Sequence, residues 1–150
     1  NKQDTLAVKL KRNIVPYSLV LFSFAVLCNY KLAVSLFWAS YIVGMGVNKV
    51  CSSDLLKSYQ ELFLLLLIGF LVLDSSQFLF ALIIILFIQA VDDYIDYYRE
   101  RYISGDNFIN YFGRVGTFFI ILFSLVFSLN FNWQLALLII ILSFLINFLM

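Results

Sequence analysis

Histidine is absent from this 150-residue chain. That single absence excludes Ser-His-Asp and Cys-His nucleophile systems, histidine zinc sites and histidine-ligated haem. Charge is scarce as well. Only 13% of residues are Asp, Glu, Lys or Arg, about half the ~25% of an average soluble domain. The net charge of +1 leaves no basic surface of the kind that attracts nucleic acid. There is one proline, Pro16, and it falls in the first turn of an apolar run, where a missing amide hydrogen costs little. The two cysteines, Cys28 and Cys51, stand in no metal-ligand spacing. Apolar residues, by contrast, make up 63% of the chain and aromatic ones 19%. Such a composition excludes intrinsic disorder and an ordinary soluble domain, and predicts an all-α integral membrane protein.

Six apolar runs recur along the length: Ile14–Cys28, Leu32–Val47, Leu62–Leu73, Phe78–Val91, Thr117–Leu129 and Leu135–Met150. Each is shorter than the ~20 residues that cross a bilayer core, and interfacial residues extend each one. Three breaks are very short, at Asn29–Lys31, Asp74–Gln77 and Asn130–Trp133, and predict tight turns between antiparallel helices. The other two, residues 48–61 and 92–116, hold most of the charge. The expectation is one transmembrane domain over residues 1–150, a bundle of six spans arranged as three hairpins. Hydropathy repeats at a spacing of about fifty residues, but no clear repeat of individual residues accompanies it. The first run lacks a small-residue cleavage site before the second, so it reads as a span and not as a removable leader.

Charge placement supports the same arrangement. Cytoplasmic loops are enriched in Lys and Arg. With the amino terminus inside, Lys2, Lys9, Lys11, Arg12, Lys49, Lys57, Arg99, Arg101 and Arg114 share one side, and Lys31 alone falls on the other. Both termini are therefore expected in the cytoplasm. Fusing residues 62–91 into one helix would bury Asp74 and scramble this asymmetry. Cys28 and Cys51 then lie near opposite membrane faces and cannot pair within one chain. Gly44, Gly46 and Gly69 are expected at close helix contacts, as small residues in membrane helices commonly are. No charged residue lies mid-span, which argues against ion-coupled transport.

The chemistry is concentrated in Asp92-Asp93-Tyr94-Ile95-Asp96-Tyr97-Tyr98-Arg99-Glu100-Arg101. If the fourth helix continues through this segment, Asp93, Asp96 and Glu100 lie on one face, and Asp92 and Asp96 stand one turn apart. Like charges at that spacing destabilise a bare helix by about 0.2–0.5 kcal/mol per pair. A hard divalent cation would offset this, and Mg²⁺ characteristically combines one or two carboxylates, several waters and a substrate phosphate. Arg99, Arg101 and Arg114 would add charge-assisted bonds to that phosphate. The plainer alternative is a solvated charged loop whose ion pairs contribute little. Tyr94, Tyr97, Tyr98 and Tyr102 suit either a cation-facing wall or the aromatic belt of a membrane interface.

This segment resembles the aspartate-rich motif Asn-Asp-x-x-Asp-x-x-x-Asp of the UbiA superfamily of intramembrane prenyltransferases, with Asp92 in place of the Asn and Glu100 in place of the last Asp. Arg101-Tyr102-Ile103-Ser104-Gly105 is similar to the stretch that commonly trails the motif. The entry to the first span, Leu10-Lys11-Arg12-Asn13-Ile14-Val15-Pro16, is similar to the start of the family's first helix. The resemblance implies an all-helical membrane enzyme that binds an isoprenyl diphosphate through Mg²⁺ and transfers the prenyl group to an acceptor at the cytoplasmic face. It implies Asp92, Asp93 and Asp96 as catalytic residues, Asp93, Asp96 and Glu100 as metal ligands, and Arg99, Arg101 and Arg114 as diphosphate ligands.

Family members carry two such motifs facing each other, and here the second is reduced to Asn48 and Asp54. The rest of the site is therefore expected from a second copy of the chain or from a partner membrane subunit. A different class of function fits the same residues: a small non-enzymatic accessory or immunity-type membrane protein whose acidic-basic segment 92–116 is a docking surface.

Overall fold

A computed structural model describes residues 14–47, 58–99 and 107–149 of the chain. Among these residues every regular element is an α-helix: α1 (Ile14–Val47), α2 (Ser58–Val72), α3 (Ser75–Arg99) and α4 (Phe108–Leu149). Three of them contain stretches long and apolar enough to cross a bilayer, Val15–Gly44, Ser75–Tyr98 and Phe108–Leu145; α2 supplies a shorter apolar helix, Gln60–Val72. The architecture is thus all-α and of membrane type, with four helical elements where six separate ones are expected from the apolar runs.

The difference lies at two asparagines. Asn29 in α1 (φ −156°, ψ 94°) and Asn132 in α4 (φ −158°, ψ 93°) leave the helical region, while their neighbours on both sides stay helical. Each asparagine caps the arm that follows it: the Leu32 N–H donates to Asn29 Oδ1 and the Leu135 N–H to Asn132 Oδ1, both at 3.1 Å. This is N-cap geometry, in which a short polar side chain satisfies an otherwise orphaned amide.

The chain folds back at both points. The Phe22 and Phe37 ring centroids are 5.1 Å apart, whereas residues fifteen apart on a straight helix are separated by about 22 Å. In α4, Ile121, Leu125 and Leu129 before the break and Leu135, Ile139 and Ile140 after it all pack on the cluster of Phe80, Ile84, Phe87 and Ala136.

Between α2 and α3 the chain breaks at Leu73–Asp74, and Asp74 Oδ1 accepts the Ser76 and Gln77 amides at 3.1 and 3.4 Å. A fused 62–91 helix is excluded. The three turns gather at one end of the bundle, where Asn29, Ser76, Gln77 and Asn132 line a cavity of about 140 Å³. Lys31 and Asp74 face each other there at 3.9 Å, both substantially exposed.

Helix α3 is the hub. Phe78, Phe80, Ala81, Ile84, Phe87 and Ala90 are all buried, and α3 contacts α1, α2 and α4. Gly69 lies under the Phe78 ring, so closely that a Cβ there would sit 2.4 Å from Cζ. Gly44 has nothing within 4 Å of its Cβ position, so it makes no close contact among the described residues, and the surroundings of Gly46 lie outside them. The outer surface is apolar: Leu27, Leu71 and Val72 are 81%, 77% and 75% exposed. An apolar surface of this extent is tolerable in lipid and a liability in water.

Candidate functional site

The acidic segment is helical as far as Arg99. Helix α3 runs on through Asp92 and Asp93 to Arg99, and this end lies opposite the three turns. The helix persists beyond its apolar run because its inward carboxylate finds partners. Asp93 is 9% exposed. Its Oδ2 accepts the Phe108 N–H at 2.8 Å, and its Oδ1 accepts from Gln89 Nε2 at 3.2 Å. Asn107 answers by donating from Nδ2 to the Asp93 carbonyl at 3.0 Å, while its Oδ1 accepts the Ile109 amide at 2.8 Å. Two side chains fourteen residues apart thus each satisfy backbone of the other's helix. A carboxylate at a helix N-terminus is also favoured by the helix dipole.

Asp92 and Asp96 are exposed. At 100° per residue they share one side of α3, and Tyr94 and Tyr97 lie roughly opposite. The expected single face of Asp93, Asp96 and Glu100 is therefore divided in its described part: Asp93 turns under the start of α4 and Asp96 faces outward. Glu100, Arg101 and the Arg99 side chain lie outside the described residues, as do Asn48 and Asp54. Among the described residues no three carboxylates or thiols gather as a metal cage.

Arg114 is brought to this helix end. Gly113 (φ 69°, ψ 170°) breaks α4 just before it, in a backbone region that is essentially confined to glycine. The Arg114 guanidinium carbon sits 4.6 Å from the Tyr97 ring centroid, and Nη2 donates to the Tyr97 hydroxyl. Tyr98 packs edge-on against Tyr97 at 5.3 Å and meets Tyr94, hydroxyl to hydroxyl, at 3.4 Å. Arg114 starts one helical turn and a half, about 7.5 Å of helix rise, before Phe119. There an apolar groove of about 580 Å³ opens between Leu79, Ile83 and Leu86 of α3 and Phe119, Phe123 and Phe127 of α4.

Sequence reasoning selects Asp93 and Arg114 but misses Gln89, Asn107 and the pairing of Arg114 with Tyr97. Asn107 carries a readable signal, a short polar residue just before a helical apolar run. Nothing local announces the other two, because they depend on how α4 docks on α3. No protein-family model, no curated protein and no solved structure matches the chain. Fold and site together define a class: an all-helical, membrane-type protein with a polar, acidic and tyrosine-rich helix end.

Proposed function

We propose that the chain binds an isoprenyl diphosphate through Mg²⁺ at the Asp92–Arg99 end of α3 and transfers the prenyl group to an acceptor there, as an outlying relative of the UbiA prenyltransferases. The observation that carries this reading is the arrival of Arg114 over Tyr97 at the same end of α3 as Asp92 and Asp96, on the helix pair whose middle lines an apolar groove. A diphosphate with an oily tail needs that combination of charge and grease. Asp92 and Asp96, one turn apart and exposed, suit an ion that keeps several waters and takes one or two carboxylates plus phosphate oxygens. Bound Mg²⁺ would supply charge stabilisation as the allylic carbon–oxygen bond breaks and negative charge grows on the leaving diphosphate. Arg114, with Arg99 and Arg101, would bind that diphosphate.

The fold-back of α1 and α4 supports a six-span reading, and the placement of Lys and Arg supports turns outside and both termini in the cytoplasm. A second copy, or a partner membrane subunit, would complete the site, since closed two-fold dimers are the commonest oligomers.

The test is thermal unfolding of the protein in lipid, with Mg²⁺ and geranylgeranyl diphosphate added together or singly. Stabilisation by the pair, lost in Asp96→Asn with the unliganded unfolding temperature unchanged, is expected. Equal unfolding temperatures with and without the pair contradict the reading. One observation favours the docking-surface alternative: both Asp93 carboxylate oxygens already have partners within the chain. That alternative expects no response to the diphosphate.

A further inference from the structure

We infer that Asp93 and Asn107 are positioning residues: their reciprocal clasp fixes the start of α4 on α3 and so presents Arg114 at the acidic helix end. The inference rests on the proposed function for what Arg114 binds, and on geometry alone for the clasp. Its distances close a complete circuit. The Phe108 amide reaches Asp93 Oδ2 at 2.8 Å, Asn107 Nδ2 reaches the Asp93 carbonyl at 3.0 Å, and Gln89 holds the remaining oxygen at 3.2 Å. Asn107 and Phe108 are 5% and 8% exposed, so the circuit is shielded from water that would otherwise compete for these groups. Six residues after Phe108 stands Arg114, with the Gly113 break between them. A shift in where α4 begins therefore moves the guanidinium relative to the Tyr97 ring.

This assigns Asp93 a different part from its neighbours. As an unaided metal ligand, Asp93 would have to release both the Phe108 amide and Gln89, leaving a buried amide without a partner. Asp92 and Asp96, by contrast, are exposed. The division of labour is that Asp92 and Asp96 face the cation while Asp93 holds the frame.

Asparagine at position 93 separates the two roles. It keeps an acceptor for the Phe108 N–H, and Gln89 can turn its amide to accept from the new Nδ2; the negative charge is lost. The experiment uses the full chain in lipid and compares Asp93→Asn, Asp93→Ala and Asn107→Ala. Three readouts are taken: hydrogen exchange of the 107–113 amides, modification of Arg114 by phenylglyoxal resolved by mass spectrometry, and Mg²⁺-dependent affinity for geranylgeranyl diphosphate. A buried amide without its partner corresponds to about a tenfold effect or more. Asn107→Ala and Asp93→Ala should therefore raise exchange and Arg114 modification and weaken binding by at least about tenfold, with Asp93→Asn close to wild type in all three. Loss of affinity in Asp93→Asn with exchange unchanged would overturn the inference and make Asp93 a cation ligand. Unchanged exchange and Arg114 modification in Asn107→Ala would overturn it too. Should the wild-type chain not bind the diphosphate at all, the proposed function fails, and the exchange and modification readouts still decide the clasp.

Discussion

At the scale of single residues, the tightest fit is Gly69 beneath Phe78. The Phe78 ring is fully buried and also meets Phe70 edge-on at 5.1 Å, so it has little room to yield. Gly69→Ala should cost about 1–3 kcal/mol, the usual penalty for overpacking a core, measured by chemical denaturation in detergent. Ser35 offers the opposite case. It is fully buried and its Oγ has no hydrogen-bond partner among the described residues, whereas Ser124 and Ser128 donate to carbonyls of their own helix. Ser35→Ala removes an unsatisfied hydroxyl and should stabilise the protein by up to about 1 kcal/mol; destabilisation would reveal a partner for that oxygen. The close contact at Gly69 is legible in sequence as a small residue in an apolar helix. The open space at Gly44 is not, because the same residue type serves both situations and only the neighbouring helix distinguishes them.

Among the elements, the decisive feature is a set of caps. Asn29, Asp74, Asn107 and Asn132 each accept amides of the helix that follows. Asn29-Tyr30-Lys31-Leu32-Ala33 and Asn132-Trp133-Gln134-Leu135-Ala136 are the same local sentence written twice: cap, aromatic, long polar residue, Leu, buried Ala. The match is confined to the turns, too short a stretch to stand out as a repeat of individual residues along the hairpins. Asn29→Ala and Asn132→Ala should each cost about 0.5–2 kcal/mol, the range for losing such a cap, measured by thermal unfolding. The positions of the turns are legible from the short polar breaks. Their extent is not: one residue suffices to break the helix, since the cap lets the next arm start at once. The reach of α3 past its apolar run to Arg99 is equally hidden, because it depends on Asp93 meeting the distant Phe108 amide.

For the whole molecule, composition and the six apolar runs suffice to place the chain in the all-helical membrane class. The partition of the acidic segment does not follow from them. Helical spacing groups Asp93, Asp96 and Glu100 by angle, but docking of α4 decides which carboxylate is consumed as a cap and which faces outward. Orientation is testable on the intact cell. With the native cysteines replaced, a Ser76→Cys thiol should react with a membrane-impermeant maleimide, and a Ser52→Cys thiol only after permeabilisation; the reverse pattern defeats the orientation drawn from Lys and Arg placement.

The proposed function places an isoprenyl diphosphate and Mg²⁺ at this helix end. Its most direct test is to incubate the purified protein in lipid with Mg²⁺, radiolabelled geranylgeranyl diphosphate and candidate acceptors, and to measure inorganic diphosphate released. Mg²⁺-dependent release that disappears on chelation and in Asp96→Asn is the predicted result. Absence of release across acceptors, together with absence of Mg²⁺-dependent binding of the labelled diphosphate, would contradict the claim.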